Sequence, residues 1–136
     1  MTPSQNPDQG AIAVPSGSSG AVSHFGTLTV LQHRADFLKA ASARRQGAGS
    51  FLLQARFRAD DQGPRVGYTA SKKIGNAVAR NRAKRRLRAA VHEALRPVAQ
   101  VGWDYVLVAR PQDTIARLFA DLVEDLRQAL RAVHPT

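Results

Sequence analysis

The sequence predicts an α+β fold: a small α-β-β-α-β-α sandwich, with a three- to four-stranded sheet and helices packed on it. Three observations predict it. "SFLLQARFR" places Phe51, Leu53, Ala55 and Phe57 on one face at a period of two. "GWDYVLVAR" is almost continuously apolar, as a central strand covered on both sides would be. Two longer stretches, one on each side of it, repeat apolar residues at helical spacing.

The elements follow in order. Residues 1–24 are rich in Pro, Gly, Ser and Gln and read as a disordered tail, leaving 25–136 as one domain. "DFLKAASARR" predicts a short helix capped by Asp36, with Phe37 and Leu38 as its large apolar residues, broken at Gly47 and Gly49. "SFLLQARFR" is the first strand, with Arg56 and Arg58 on the face opposite Phe51. "DDQGP" is a turn and "RVGYTAS" a second strand, so a tight antiparallel hairpin is expected. A helix then runs from about Asn76 to Leu95, stopped by Pro97. Steps of ~100° per residue gather Ala79, Ala83, Leu87, Ala90 and Ala94 on one side. Arg82, Arg85, Arg88 and Asn81 gather opposite, with Lys84 and Arg86 at the edges and Arg80 near the apolar border. Trp103 opens the third strand as a packing residue. The last helix begins near Asp113 or Thr114 and carries Ile115, Leu118, Phe119, Leu122, Leu126, Ala129, Leu130 and Val133 on one stripe. Phe51, Phe57 and Phe119 are expected in the core.

Charge points to function. The chain holds 20 Lys+Arg against 10 Asp+Glu, a net charge of +10, and "KKIGNAVARNRAKRRLR" (72–88) has eight of the bases and no acid. Exposed faces normally mix signs. A single-signed helix face is the footprint of a polyanion. Guanidinium groups fork onto phosphate oxygens and stack on bases, and Asn81 among them can both donate and accept. Phe37, with Arg56, Arg58 and Tyr68, suggests a second site, since a single strand favours an aromatic platform flanked by cations; for Phe37 or Tyr68 taken alone, plain core packing is the default reading.

Other chemistry finds little support. His24, His33, His92 and His134 show no metal-ligand spacing and no orienting partner. Asp121, Glu124 and Asp125 read as solvated helix-surface acids. "GNAVARNR" is not a P-loop, although a helix N-terminus at Asn76 beside Lys72 and Lys73 suits a phosphate. No catalytic protein residue, no protein-bound metal and no small-molecule substrate are expected. The chain has no cysteine, which favours a reducing cytoplasm. No apolar run approaches ~18 residues, and no secretory signal pattern opens the chain, so no membrane partner is expected. A basic helix on a membrane surface ranks low because its inner side is mostly alanine. A non-catalytic, ribosomal-type RNA-binding module shares the charge argument and stands as the alternative.

The succession Lys-Lys, Gly-Asn and Arg-Asn-Arg-x-x-Arg-Arg, entered from "RVGYTAS", closely resembles the signature of the bacterial ribonuclease P protein subunit. "RADFLKA", "FLLQARFR" and "WDYVLVARP" resemble its first helix, first strand and last strand, and the resemblance spans about Phe25 to Val133. It implies a small subunit joined to a large catalytic RNA. Together they remove the 5′ leader from precursor tRNA by Mg²⁺-dependent hydrolysis, with the chemistry and the Mg²⁺ belonging mainly to the RNA. It implies that Lys72, Lys73, Arg80, Asn81, Arg82, Lys84, Arg85, Arg86 and Arg88 contact the catalytic RNA. It also implies that the leader lies in a cleft at Phe37 and its strand neighbours, and that the fold contains a left-handed βαβ crossover. Ala41 and Gln54 stand where many members carry aromatics.

Overall fold

Trp103–Ala109, the apolar run, forms strand β5 at the centre of a five-stranded sheet. The structure is a computed structural model, and it describes residues 28–134. The predicted tail and His24 lie outside the described residues. The strands are β1 (Thr29–Val30), β2 (Arg44–Gly47), β3 (Phe51–Phe57), β4 (Arg65–Thr69) and β5, in the spatial order β1-β4-β5-β3-β2. The helices are α1 (Arg34–Ala41), α2 (Ala77–Ala90), α3 (Asp113–Ala116) and α4 (Phe119–Val133).

Both faces of β5 are covered, which explains its lack of polar alternation. Tyr105, Leu107 and Ala109 join Phe51, Leu53, Ala55 and Val66 in the main core beneath α2 and α4. Val106 turns to the other face, where Leu31, Phe37 and Ala40 pack on it with Val108. The sandwich predicted from the sequence is therefore present, with α1 on one side of the sheet and α2 and α4 on the other.

The expected hairpin between β3 and β4 does not form. Each instead pairs with β5: β3 antiparallel, in the register Leu53↔Leu107, and β4 parallel, in the register Val66↔Tyr105. A strand 34 residues further along the chain displaces the local partner. The βαβ crossover is the connection from β4 through α2 to the parallel neighbour β5. The tight hairpin lies earlier. Helix α1 stops at Ala41, and Arg44–Gly47, expected to end that helix, pairs with β3 as an edge strand. Its turn uses Gly49 at φ +82, and the Ala48 N–H donates to the Phe51 carbonyl.

Three further expectations change. Asp36 sits in the first turn of α1, and His33 holds the N-cap position. The last helix is broken into α3 and α4 at Arg117–Leu118. Thr114 lies within α3. Its hydroxyl is buried, donating to the Ser50 carbonyl and accepting from the Arg110 N–H. Leu118, Phe119 and Phe57 are exposed rather than core, because β3 and the break before α4 both end beyond the cover of the facing helices. Phe57 leans on Trp103, which packs edge-on against His134.

Candidate nucleic-acid interface

The basic segment begins where β4 ends. Ser71 accepts from the Lys73 N–H and starts a single 3₁₀ turn, Lys72–Ile74. Gly75 then adopts φ +139, open to glycine, and the Asn76 side chain caps α2 by accepting from the Ala79 N–H at 3.0 Å. The cap fixes the helix rotation. Ala83, Leu87 and Ala90 face the core, and a π turn over Val91–Leu95 keeps Val91, Ala94 and Leu95 buried with them.

The opposite face is cationic and open. Asn81, Arg82, Arg85 and Arg88 are exposed, as are Lys72 and Lys73, while Arg80 and Lys84 are half-buried. Among the described residues none of these seven cations is in an ion pair with a carboxylate. Arg88 lies over the Tyr68 ring, 5.2 Å from its centroid. Burial pushes the Tyr68 hydroxyl up to about 12 against the opposing effect of Arg88 and Arg96, so the ring stays neutral beneath the guanidinium.

Arg86 departs from this set. Its Nε donates to the Thr114 carbonyl at 3.0 Å, and Nη2 donates to the Arg117 carbonyl. It ties α2 to the end of α3, satisfying carbonyls left free where that helix stops.

The four residues expected to line a leader cleft are not brought together. Phe37 sits over Gly67; a Cβ there would lie 2.5 Å from its ring, so only glycine permits the approach. Arg56 shares that face of the sheet. Tyr68, the next residue in β4, points to the other face beside α2, by strand alternation. Arg58 is satisfied within the fold. It donates to Asp60, Asp104 and the carbonyls of Trp103, Gln62 and Gly63, and its side chain is 6% exposed. Burial works against its charge, but the two carboxylates more than offset this and its pKa rises. Asp60 in turn is held below the usual carboxylate range by Arg58.

At the centre of this group is Asp104, fully buried on β5. Its register partners on the two flanking strands are Arg56 and Arg65. Arg65 grips both carboxylate oxygens, at 2.7 and 2.8 Å, and that bond raises its pKa. Asp104 and Arg65 escaped the sequence reading. The available signal was one acid inside an otherwise apolar strand, a position that requires a paired cation.

The histidines stay apart: His33 and His92 are exposed, and His134 accepts from or donates to the Tyr105 hydroxyl at 2.7 Å. Of the helix acids, Asp125 is not simply solvated. It binds Ser50 and Arg117.

Comparison with known proteins agrees with this architecture. The sequence model of the ribonuclease P family matches residues 25–134. The chain is 60% identical over 109 residues to the ribonuclease P protein component of Ruegeria pomeroyi, covering 79% of this chain and 87% of the relative. It is 48% identical over 102 residues to that of Gluconacetobacter diazotrophicus, covering 74% and 87%. Among solved structures it is similar to the RNase P protein from Thermotoga maritima, with TM-score 0.63 and 26% identity over 75% of this chain and 94% of that one. The Staphylococcus aureus RNase P protein shares the fold at TM-score 0.63 and 22% identity, covering 79% and 97%.

Proposed function

The chain belongs to the ribonuclease P protein family, whose members work with the RNase P RNA as the protein subunit of an endoribonuclease that processes tRNA 5′ ends, and on that premise we propose that its α2 face binds the catalytic RNA and that the Phe37 face holds the single-stranded leader of precursor tRNA. The observation that carries the first part is the set of cations Lys72, Lys73, Arg80, Arg82, Lys84, Arg85 and Arg88, without a carboxylate partner among the described residues, on one rigid, capped helix and its entry turn. A folded RNA brings phosphates close together, and cations fixed in advance neutralise them while releasing condensed ions to solvent. Asn81 supplies hydrogen bonds within the same face. Arg86 supports this face by holding α2 to α3.

The leader reading is supported by Phe37, half-buried over Gly67 with Val106 and Val108 beside it, and by Arg56 nearby. A base stacks on the aromatic while its backbone meets the cation. Arg58 and Tyr68 are not part of this reading. The cleavage itself belongs to the RNA. Among the described residues no three His, Cys, Asp or Glu side chains stand together as a metal site, and the Mg²⁺ of the reaction is assigned to the RNA. Action on precursor tRNA places the protein in the cytoplasm. No helix among the described residues is long and apolar enough to cross a membrane.

Cleavage of a precursor tRNA by the catalytic RNA at low Mg²⁺ tests the proposal. Adding the protein is expected to accelerate 5′ maturation; an RNA that binds the protein yet cleaves no faster would favour a passive RNA-binding module. Phe37→Ala is expected to weaken leader-bearing precursor more than mature tRNA, and an equal loss for both would return Phe37 to a packing role.

A further inference from the structure

The arginines around Asp104 divide into a satisfied one and two with capacity left over. Arg58 makes six hydrogen bonds to acceptors, enough for all five of its N–H groups, whereas Arg65 makes three. Arg65 uses Nε and Nη2 on Asp104, and its Nη1 reaches Asp36 at 3.4 Å. Arg56 touches Asp104 through Nη1 at 3.5 Å and stands 3.7 Å from Asp36. Among the described residues no acceptor meets its Nε or Nη2. Arg56 and Arg65 are 24% and 28% exposed at the side chain, so part of each reaches solvent.

Charge balance gives Asp36 a distinct role. Asp104 and Asp60 together offset two of the three guanidiniums, leaving one positive charge shared between Arg56 and Arg65. Asp36, on α1, is the carboxylate that balances it, and it does so at ion-pair distances longer than the bonds of Arg65 to Asp104. Asp104 is fixed and buried; Asp36 is 18% exposed and loosely held. It is also the residue next to Phe37, on the helix that borders the proposed path of a single strand.

We propose that Arg56 and Arg65 form a phosphate fork for the backbone of single-stranded RNA, with Asp104 as their positioning residue and Asp36 as an internal anion that competes for the fork. Two guanidiniums held on one buried carboxylate keep a fixed separation and lose little side-chain freedom when a phosphate arrives. A phosphate entering beside Phe37 takes the place of Asp36 at the two Nη1 atoms and also reaches the N–H groups that have no acceptor. Asp36 therefore lowers affinity for the strand and makes release easier. The fork rests on the reading that a single strand enters beside Phe37.

The test uses the protein assembled with the catalytic RNA and compares leader-bearing precursor with mature tRNA. Asp36→Asn keeps the shape of the side chain and removes its charge. It is expected to tighten leader-bearing precursor about two- to fivefold, the scale of one loosely held, partly exposed ion pair, and to steepen the salt dependence by up to about 0.7. Adding Arg56→Gln to that variant is expected to abolish the gain. Unchanged or weaker binding of a folded Asp36→Asn protein would overturn the fork, as would a gain that survives Arg56→Gln or is shared equally by mature tRNA. Phe37→Ala run in parallel separates the two readings. If it still discriminates against the leader while Asp36→Asn does nothing, only the fork is lost.

Discussion

Two groups of arginine in this protein do opposite work. On α2, Arg82, Arg85 and Arg88 stand on an exposed face with no carboxylate paired to them among the described residues. Around β5, Arg56, Arg58 and Arg65 converge on one buried acid, Asp104, with Asp36 and Asp60 beside it. The difference does not lie in the residue type. It lies in whether the fold places a carboxylate in register with the guanidinium. The paired group binds three strands and α1 together. The unpaired group leaves its charge available to a phosphate backbone. Charge that holds a fold together is therefore unavailable for recognition, except where, as at Arg56 and Arg65, donors outnumber acceptors.

The comparison breaks first at Asp104. Asp104→Ala removes the buried carboxylate that three guanidiniums share, one of them almost fully buried, and should cost roughly 3–5 kcal/mol of stability, measured by urea unfolding. A loss under about 1 kcal/mol would mean that the paired group is not structural. Arg86→Ala sharpens the boundary between the groups, since this arginine comes from the basic segment yet bonds inward. It should lower stability by about 1–3 kcal/mol through the two carbonyls it serves, with little change in the salt slope of RNA binding. A reduced slope at full stability would return Arg86 to the RNA face.

The smallest effect concerns the aromatic end, which belongs to neither group. Burial, then the nearby Arg44, hold His134 below its usual pKa of 6.5. The unfolded chain therefore takes up a proton at higher pH than the folded one. Stability is full above about pH 6.5 and declines as the pH falls through the lower folded value. Thermal melting at pH 7 and pH 5 should show this decline, and His134→Gln should flatten it. An equal decline in the variant would assign the acid sensitivity to other groups.

Much of this arrangement was legible in the residues. The 3.6-residue period separated Ala83, Leu87 and Ala90 from Arg82, Arg85 and Arg88 because a capped helix obeys one rotation throughout. The unbroken apolar run of β5 marked it as central. Pairing was less legible. Nothing local in β3 or β4 says that β5 inserts between them, since that choice is made by a strand far along the chain and by the helices covering both faces. "RRQG" has no strand periodicity of its own and becomes β2 only by lying on β3. For the site, parity was the missing link. Gly67 and Tyr68 face opposite sides, but which side carries α1 is decided by the approach of Phe37 to Gly67. The inward role of Arg86 depended on acceptors tens of residues away, and that of Arg58 on Asp104 as well as on the nearby turn, beyond the reach of a helical wheel or a strand alternation.

The separation of the two arginine groups is tested most directly by a salt titration of binding to the catalytic RNA, with melting of the same samples. Replacing Arg82 and Arg85 together by alanine should weaken binding and reduce the slope of log K against log salt by about 0.7–0.9 for each lost phosphate contact, while the melting temperature stays at that of the parent. A double variant with the parent slope and affinity, or one that melts markedly earlier, would contradict the account.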